Sequence, residues 1–147
     1  MHQLAFAQIS LSNMKAKAVG TYGEIIAASL FEKSGYEVAT TGRGTKRGDL
    51  RVFDALTGEF WDIEVKTARP NKKGRFQFCL RRDGGMCDCG HADYVVLLAA
   101  LPSGRCITFL IPVAKLGTYK SLTITADPEK YAGKWKEFRL SGEMRLN

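Results

Sequence analysis

Three charged side chains crowd one short apolar segment, Trp61-Asp62-Ile63-Glu64-Val65-Lys66-Thr67. In a β-strand alternate side chains share a face, so Ile63 and Val65 point one way and Asp62, Glu64 and Lys66 the other, with Glu64 and Lys66 about 7 Å apart. A core strand carries charges on one side only where that side opens to solvent or to a site. Asp49 stands at the start of a preceding extended segment, directly after a basic glycine-rich loop. If the two segments pair as a hairpin, Asp49 and Glu64 converge. Two convergent carboxylates suit Mg²⁺, which keeps several waters and takes substrate phosphate as a further ligand. A lysine beside them can hold a phosphate or orient an attacking water. This is equipment for phosphodiester hydrolysis. Glu24 adds a third carboxylate, on a helix side it shares with Gly20, Ala27, Ala28 and Phe31. A glutamate on so apolar a surface is costly unless that side borders a polar cleft.

Plainer accounts exist for the same residues. Asp49, Glu64 and Lys66 could line an exposed antiparallel face with cross-strand charge pairs. Glu24 could be a helix-edge residue paired with Lys17 or Arg51. Neither account explains the basic residues on both sides of the acidic centre: Arg43, Lys46 and Arg47 before it, Arg69, Lys72, Lys73 and Arg75 after it. Such loops can contact phosphates flanking a scissile bond. A second cluster, Cys79, Cys87, Cys89 and His91, has the ligand types for Zn²⁺. Only one residue separates Cys87 from Cys89, shorter than zinc sites use, so these read as incidental thiols and zinc is not expected.

The elements that must hold these groups follow from periodicity and turn chemistry. Asn13 to Ser34 reads as a helix, with Asn13 as N-cap and Gly35 as stop, burying Val19, Tyr22, Ile26 and Leu30. Tyr36 to Thr40, Asp49 to Asp54 and Phe60 to Ala68 read as strands, the last two joined through Ala55-Leu56-Thr57-Gly58 as a hairpin. Phe76 to Leu80 is a further strand. Tyr94-Val95-Val96-Leu97-Leu98 is a continuous apolar run of the kind buried on both faces, and Cys106 to Ile111 is another strand. The tail suggests a strand near Leu122 to Thr125 and a short helix near Tyr131 to Phe138. The sum is α/β or α+β, a central mixed sheet with helical cover, in one domain over 1–147.

Composition agrees. A chain of 147 residues is long enough for one domain with its own core. With 45% apolar and 25% charged residues it is neither disordered nor membrane-embedded in character. Lys and Arg outnumber Asp and Glu by 22 to 15, a net charge of +7 that favours a polyanionic partner. Met1 to Ser12 has no basic n-region or cleavage site, so a cytoplasmic chain with reduced cysteines is expected.

Gly48-Asp49 followed by Glu64-Val65-Lys66 resembles the motif of the PD-(D/E)XK nuclease superfamily, with its restriction-endonuclease-like fold. Gly23-Glu24 and the segment Phe31 to Val38 are similar to Holliday junction resolvases and small homing endonucleases of that superfamily. So are Glu64 to Arg69, Ala92-Asp93-Tyr94-Val95 and Ile111-Pro112-Val113. The likeness covers a core of about residues 15–115, leaving 116–147 as a C-terminal extension. The proline that the family places before its aspartate is Gly48 here, which still permits the turn. The resemblance implies Asp49 and Glu64 as metal ligands, the Val65 carbonyl as a third, Lys66 as catalytic lysine and Glu24 as an outer ligand through water. It implies a Mg²⁺-dependent DNA endonuclease, with Mn²⁺ as substitute, encoded by a bacterium, archaeon or phage. The alternative is a catalytically inactive DNA-binding module on the same fold. The partner would be double-stranded or branched DNA, and a chain this small that cuts both strands works as a homodimer or homotetramer.

Overall fold

A computed structural model describes residues 14–40, 49–80, 92–102, 104, 106–116 and 121–124. Among the described residues, one α-helix, α1 (Ala16–Lys33), precedes seven strands: β1 (Glu37–Thr40), β2 (Leu50–Phe53), β3 (Phe60–Ala68), β4 (Phe76–Cys79), β5 (Tyr94–Ala100), β6 (Cys106–Pro112) and β7 (Ser121–Ile124). The architecture is α+β. A five-stranded sheet in the order β1-β2-β3-β5-β6 forms the centre, and β4 and β7 make a separate two-stranded ribbon. The sheet is mixed: β3 and β5 run parallel and the other neighbours antiparallel.

Helix α1 starts after Lys15, which makes no side-chain cap, while Asn13 lies outside the described residues. Its end follows the expected glycine stop. Gly35 adopts φ 94°, its N–H donates to the Glu32 carbonyl, and the Tyr36 N–H donates to that of Phe31. This pair of bonds satisfies the last carbonyls and turns the chain into β1. Phe31 and Tyr36 close the turn edge to face, ring centroids 6.4 Å apart. The β2–β3 hairpin turns as its residues dictate: Gly58 has φ 77°, and Asp54 accepts the Leu56 N–H at 2.9 Å.

Both faces of the sheet are covered, by different means. On one, α1 packs Ala27, Leu30 and Phe31 against Leu50, Val52, Ile63, Val65 and Val96. On the other, Phe76, Phe78 and Leu80 meet Val95, Leu97, Phe109 and Ile111. The helical cover expected from the sequence therefore serves one face, and among the described residues the β4–β7 ribbon serves the second. Every residue of β5 is buried, as its unbroken apolar run requires. Within the described residues no helix is long and apolar enough to cross a membrane. The tail strand is present as β7; the helix expected near Tyr131 lies outside the described residues.

Candidate active site

The antiparallel ladder between β2 and β3 ends at the pair Leu50–Ile63. Strand β3 continues for five more residues, Glu64 to Ala68, paired with β5 on its other edge. Asp49 occupies the step where β2 stops. Its N–H donates to the Ile63 carbonyl at 2.8 Å, and its Oδ2 accepts the Val65 N–H at 2.8 Å. The carboxylate thus takes the place of the missing β2 backbone and satisfies a donor that would otherwise be orphaned. The Val65 carbonyl leaves the strand on the same edge as its N–H, toward Asp49.

Glu64 flanks this point. Its Oε1 stands 3.8 Å from the Lys66 ammonium, with the side chains 13% and 20% exposed. The pair is drawn out of bulk water, which strengthens every electrostatic interaction it makes. Alternation along β3 holds as expected: Ile63 and Val65 are buried toward α1, and Asp62, Glu64 and Lys66 are partly exposed. The hairpin therefore gathers Asp49, Glu64, Lys66 and the Val65 backbone within three residues of one strand.

Glu24 is half-buried on α1. On one flank of the helix, Tyr22 and Ile26 pack with Leu98 and Ala100 of β5. Ala28, one turn after Glu24, packs in the cluster that holds Leu50 and Val52 of β2. Helix geometry carries Glu24 to the β2 side of its neighbour Gly23. Gly23 itself lies against the Thr67 hydroxyl, in a space that any Cβ would overlap. That close approach presses α1 onto β3 one residue beyond Lys66. Arg51, one of the two partners expected for Glu24, is engaged elsewhere: its Nε and NH2 donate to Asp62 at 2.9 and 3.3 Å, and its guanidinium stacks 4.4 Å over the Phe60 ring.

Among the described residues, no three His, Cys, Asp or Glu side chains converge to hold a metal ion. The hard oxygen donors at this step are the carboxylates of Asp49, just before β2, and Glu64 on β3, with the Val65 carbonyl on the same strand edge as its N–H. They fit a cation that fills its remaining positions with water and substrate phosphate.

The basic residues divide. Lys72, Lys73 and Arg75 are exposed on the turn between β3 and β4. Arg69 is half-buried, and its NH1 donates to the Met14 carbonyl at 2.7 Å, so part of its guanidinium ties down the start of α1. Arg43, Lys46 and Arg47 lie outside the described residues, as do Cys87, Cys89 and His91. Cys79 is on the exposed side of β4, while Cys106, at the start of β6, packs near Tyr22.

Three positions that hold the site were not singled out from sequence. Asp93 accepts the Asp62 N–H at 2.8 Å and donates its own N–H to the Asp62 carbonyl at 2.7 Å, pinning β5 beside β3. Thr67 and Asn71 fix the helix contact and the basic turn. Asp93 before an apolar strand and Asn71 after a proline are both cap-like signals, but their partners are distant or backbone, which spacing does not reveal.

No protein-family model matches the chain, and no curated protein matches it. The fold is shared with a bacterial homing endonuclease. That solved structure aligns with TM-score 0.58 over 76% of this chain and 75% of its own, at 18% identity. At this identity the likeness to the homing endonuclease concerns the path of the chain, and the chemistry rests on the side chains above.

Proposed function

We propose that this chain is a metal-dependent DNA endonuclease of the PD-(D/E)XK type. The observation that carries the reading is the step at the end of β2, where the Asp49 carboxylate sits on the Val65 N–H beside the Glu64–Lys66 pair. The homing-endonuclease fold supports it.

Asp49 and Glu64 would hold Mg²⁺, with the Val65 carbonyl as a third ligand and Glu24 as an outer one through water. Bound there, the ion would supply Lewis-acid stabilisation of charge on the phosphoryl oxygens. The protein's own groups do the rest. The Val65 N–H fixes one Asp49 oxygen and so aims the other. The Lys66 ammonium orients the attacking water and neutralises charge as one P–O bond forms and another breaks. Lys72, Lys73 and Arg75 hold the flanking backbone. The net charge of +7 draws the polyanion in.

The test is cleavage by purified protein of plasmid, linear duplex, single-stranded and four-way-junction DNA, with Mg²⁺, with Mn²⁺ and with a chelator. Metal-dependent cutting of at least one DNA is expected. A protein that binds these DNAs and cuts none of them would overturn the reading.

A further inference from the structure

The turn that carries Lys72, Lys73 and Arg75 is built more firmly than a solvated loop needs to be. Asn71 organises it with four hydrogen bonds. Its Oδ1 accepts both the Lys73 N–H at 2.9 Å and the Arg75 N–H at 3.0 Å. Its own N–H donates to the Arg75 carbonyl at 2.8 Å, and its carbonyl accepts the Gly74 N–H at 2.9 Å. Gly74 takes φ 72°, a conformation that side-chain-bearing residues resist. A bridge between Pro70 and Phe76 closes the base of the turn. The neighbouring Phe76 is buried in the core between the ribbon and the sheet. Three cations are therefore mounted on fixed backbone at the exit of the strand that bears Glu64 and Lys66.

We propose that the Asn71 turn makes this loop a preorganised reader of the duplex backbone, which selects double-stranded over single-stranded DNA. The inference rests on the DNA reading above and names its substrate class. Flexible lysines bind any phosphate chain, duplex somewhat better than single strand only because its charge density is higher. A rigid array gains only where the phosphates are themselves held at regular spacing, as in a duplex. There the ordering entropy has been met during folding and is not charged against binding. A single strand must be ordered to fit the same array, so it benefits less. Asn71 touches no phosphate in this account; it is a positioning residue.

The experiment compares Asn71→Ala, Asn71→Ser and the triple replacement of Lys72, Lys73 and Arg75 by Ala. Binding to a short duplex and to one of its strands is followed by fluorescence anisotropy across a salt series, with the unfolding midpoint measured in parallel. Asn71→Ala is expected to weaken duplex binding about tenfold and single-strand binding much less. The salt slope should stay unchanged, because every cation remains. Asn71→Ser, whose hydroxyl forms the same kind of turn more weakly, should fall between the two. Equal losses on duplex and single strand, or no loss on either, would overturn the proposal. The triple variant separates the two levels: if it binds DNA as the parent does, the loop does not touch DNA and this proposal fails, while the endonuclease reading stands or falls on the cleavage assay. If it loses binding while Asn71→Ala does not, only the role of Asn71 fails.

Discussion

Asp62 and Glu64 stand two residues apart on the same face of β3, and their side chains are 14% and 13% exposed. Burial does not distinguish them; their partners do. Asp62 lies where β2 is still paired, directly across from Arg51. The guanidinium fork meets both carboxylate oxygens, and Asp93 binds the backbone on either side. The hydrogen bond to Asp62 raises the Arg51 pKa above its ordinary value. Glu64 lies past the end of β2, where Lys66 approaches to 3.8 Å, outside hydrogen-bond range. A planar fork on a paired strand consumes a carboxylate's acceptor capacity. Glu64 instead meets a point charge, at the step where the Asp49 carboxylate replaces β2 on the Val65 N–H. Under the proposed function, one strand face carries a structural carboxylate and a chemical one, separated by where a neighbouring strand stops.

The largest effect should come from breaking the chemical side. Glu64→Gln and Asp49→Asn keep shape and remove charge, and each should lower cleavage by something like a thousandfold. Asp49→Asn retains an acceptor for the Val65 N–H, so its unfolding midpoint should stay near the parent's. Asp49→Ala should lose the cap as well, about 1.5–3 kcal/mol for a hydrogen bond to a charged group. Single-turnover cleavage and thermal unfolding of the three variants check this. Near-normal cutting by Asp49→Asn would remove Asp49 from the site.

The basic turn ranks next. Replacing Lys72, Lys73 and Arg75 together by Ala should weaken binding to every duplex. It should also flatten the salt dependence by about 0.9 for each phosphate that is no longer neutralised. An effect confined to one DNA sequence would point to base readout instead.

Asp62→Ala probes the structural side. It strips the Arg51 fork of its partner, and the expected outcome is a drop of a few degrees in the unfolding midpoint with cleavage per folded molecule retained. Loss of cleavage without loss of stability would place Asp62 among the chemical residues and erase the contrast with Glu64.

Much of this arrangement was legible in sequence. Alternation around Ile63 and Val65 set the register of β3, the Ala55–Gly58 turn marked the hairpin, and the run from Tyr94 to Leu98 marked a strand covered on both faces. The separate ribbon of β4 and β7 was not legible. Its pairing joins Phe76–Cys79 to Ser121–Ile124, some forty residues away, and no local pattern encodes such a partner. The difference in partners between Asp62 and Glu64 was equally hidden. Alternation puts both on one face, and only the length of β2 decides which of them gets a guanidinium. Arg69 was read with the basic loops because charge is visible in sequence and a bond to the Met14 carbonyl is not.

The smallest effect concerns a polar pair of the structural kind on the helix side. Tyr22 is buried against β5 and hydrogen-bonds the Cys106 thiol. Burial first, then the neighbouring thiol, pushes the Tyr22 phenol from 10.0 up to about 12. Burial also raises the Cys106 thiol, opposed by the hydrogen bond from Tyr22. Both groups hold their protons longer folded than unfolded. Their contribution is therefore intact below the unfolded values. It drains away as pH rises, because the unfolded chain ionises first. For Tyr22 the window runs from pH 10 to about 12. Chemical denaturation of the parent and of Tyr22→Phe across this range should give curves that converge as pH rises, since the variant has no phenol to ionise. Single-turnover cleavage by Tyr22→Phe at neutral pH should match the parent, because Tyr22 and Ile26 face β5 while Asp49 and Glu64 lie at the end of β2. Parallel denaturation curves would mean that the phenol titrates alike in both states and that the pair adds nothing to alkaline stability.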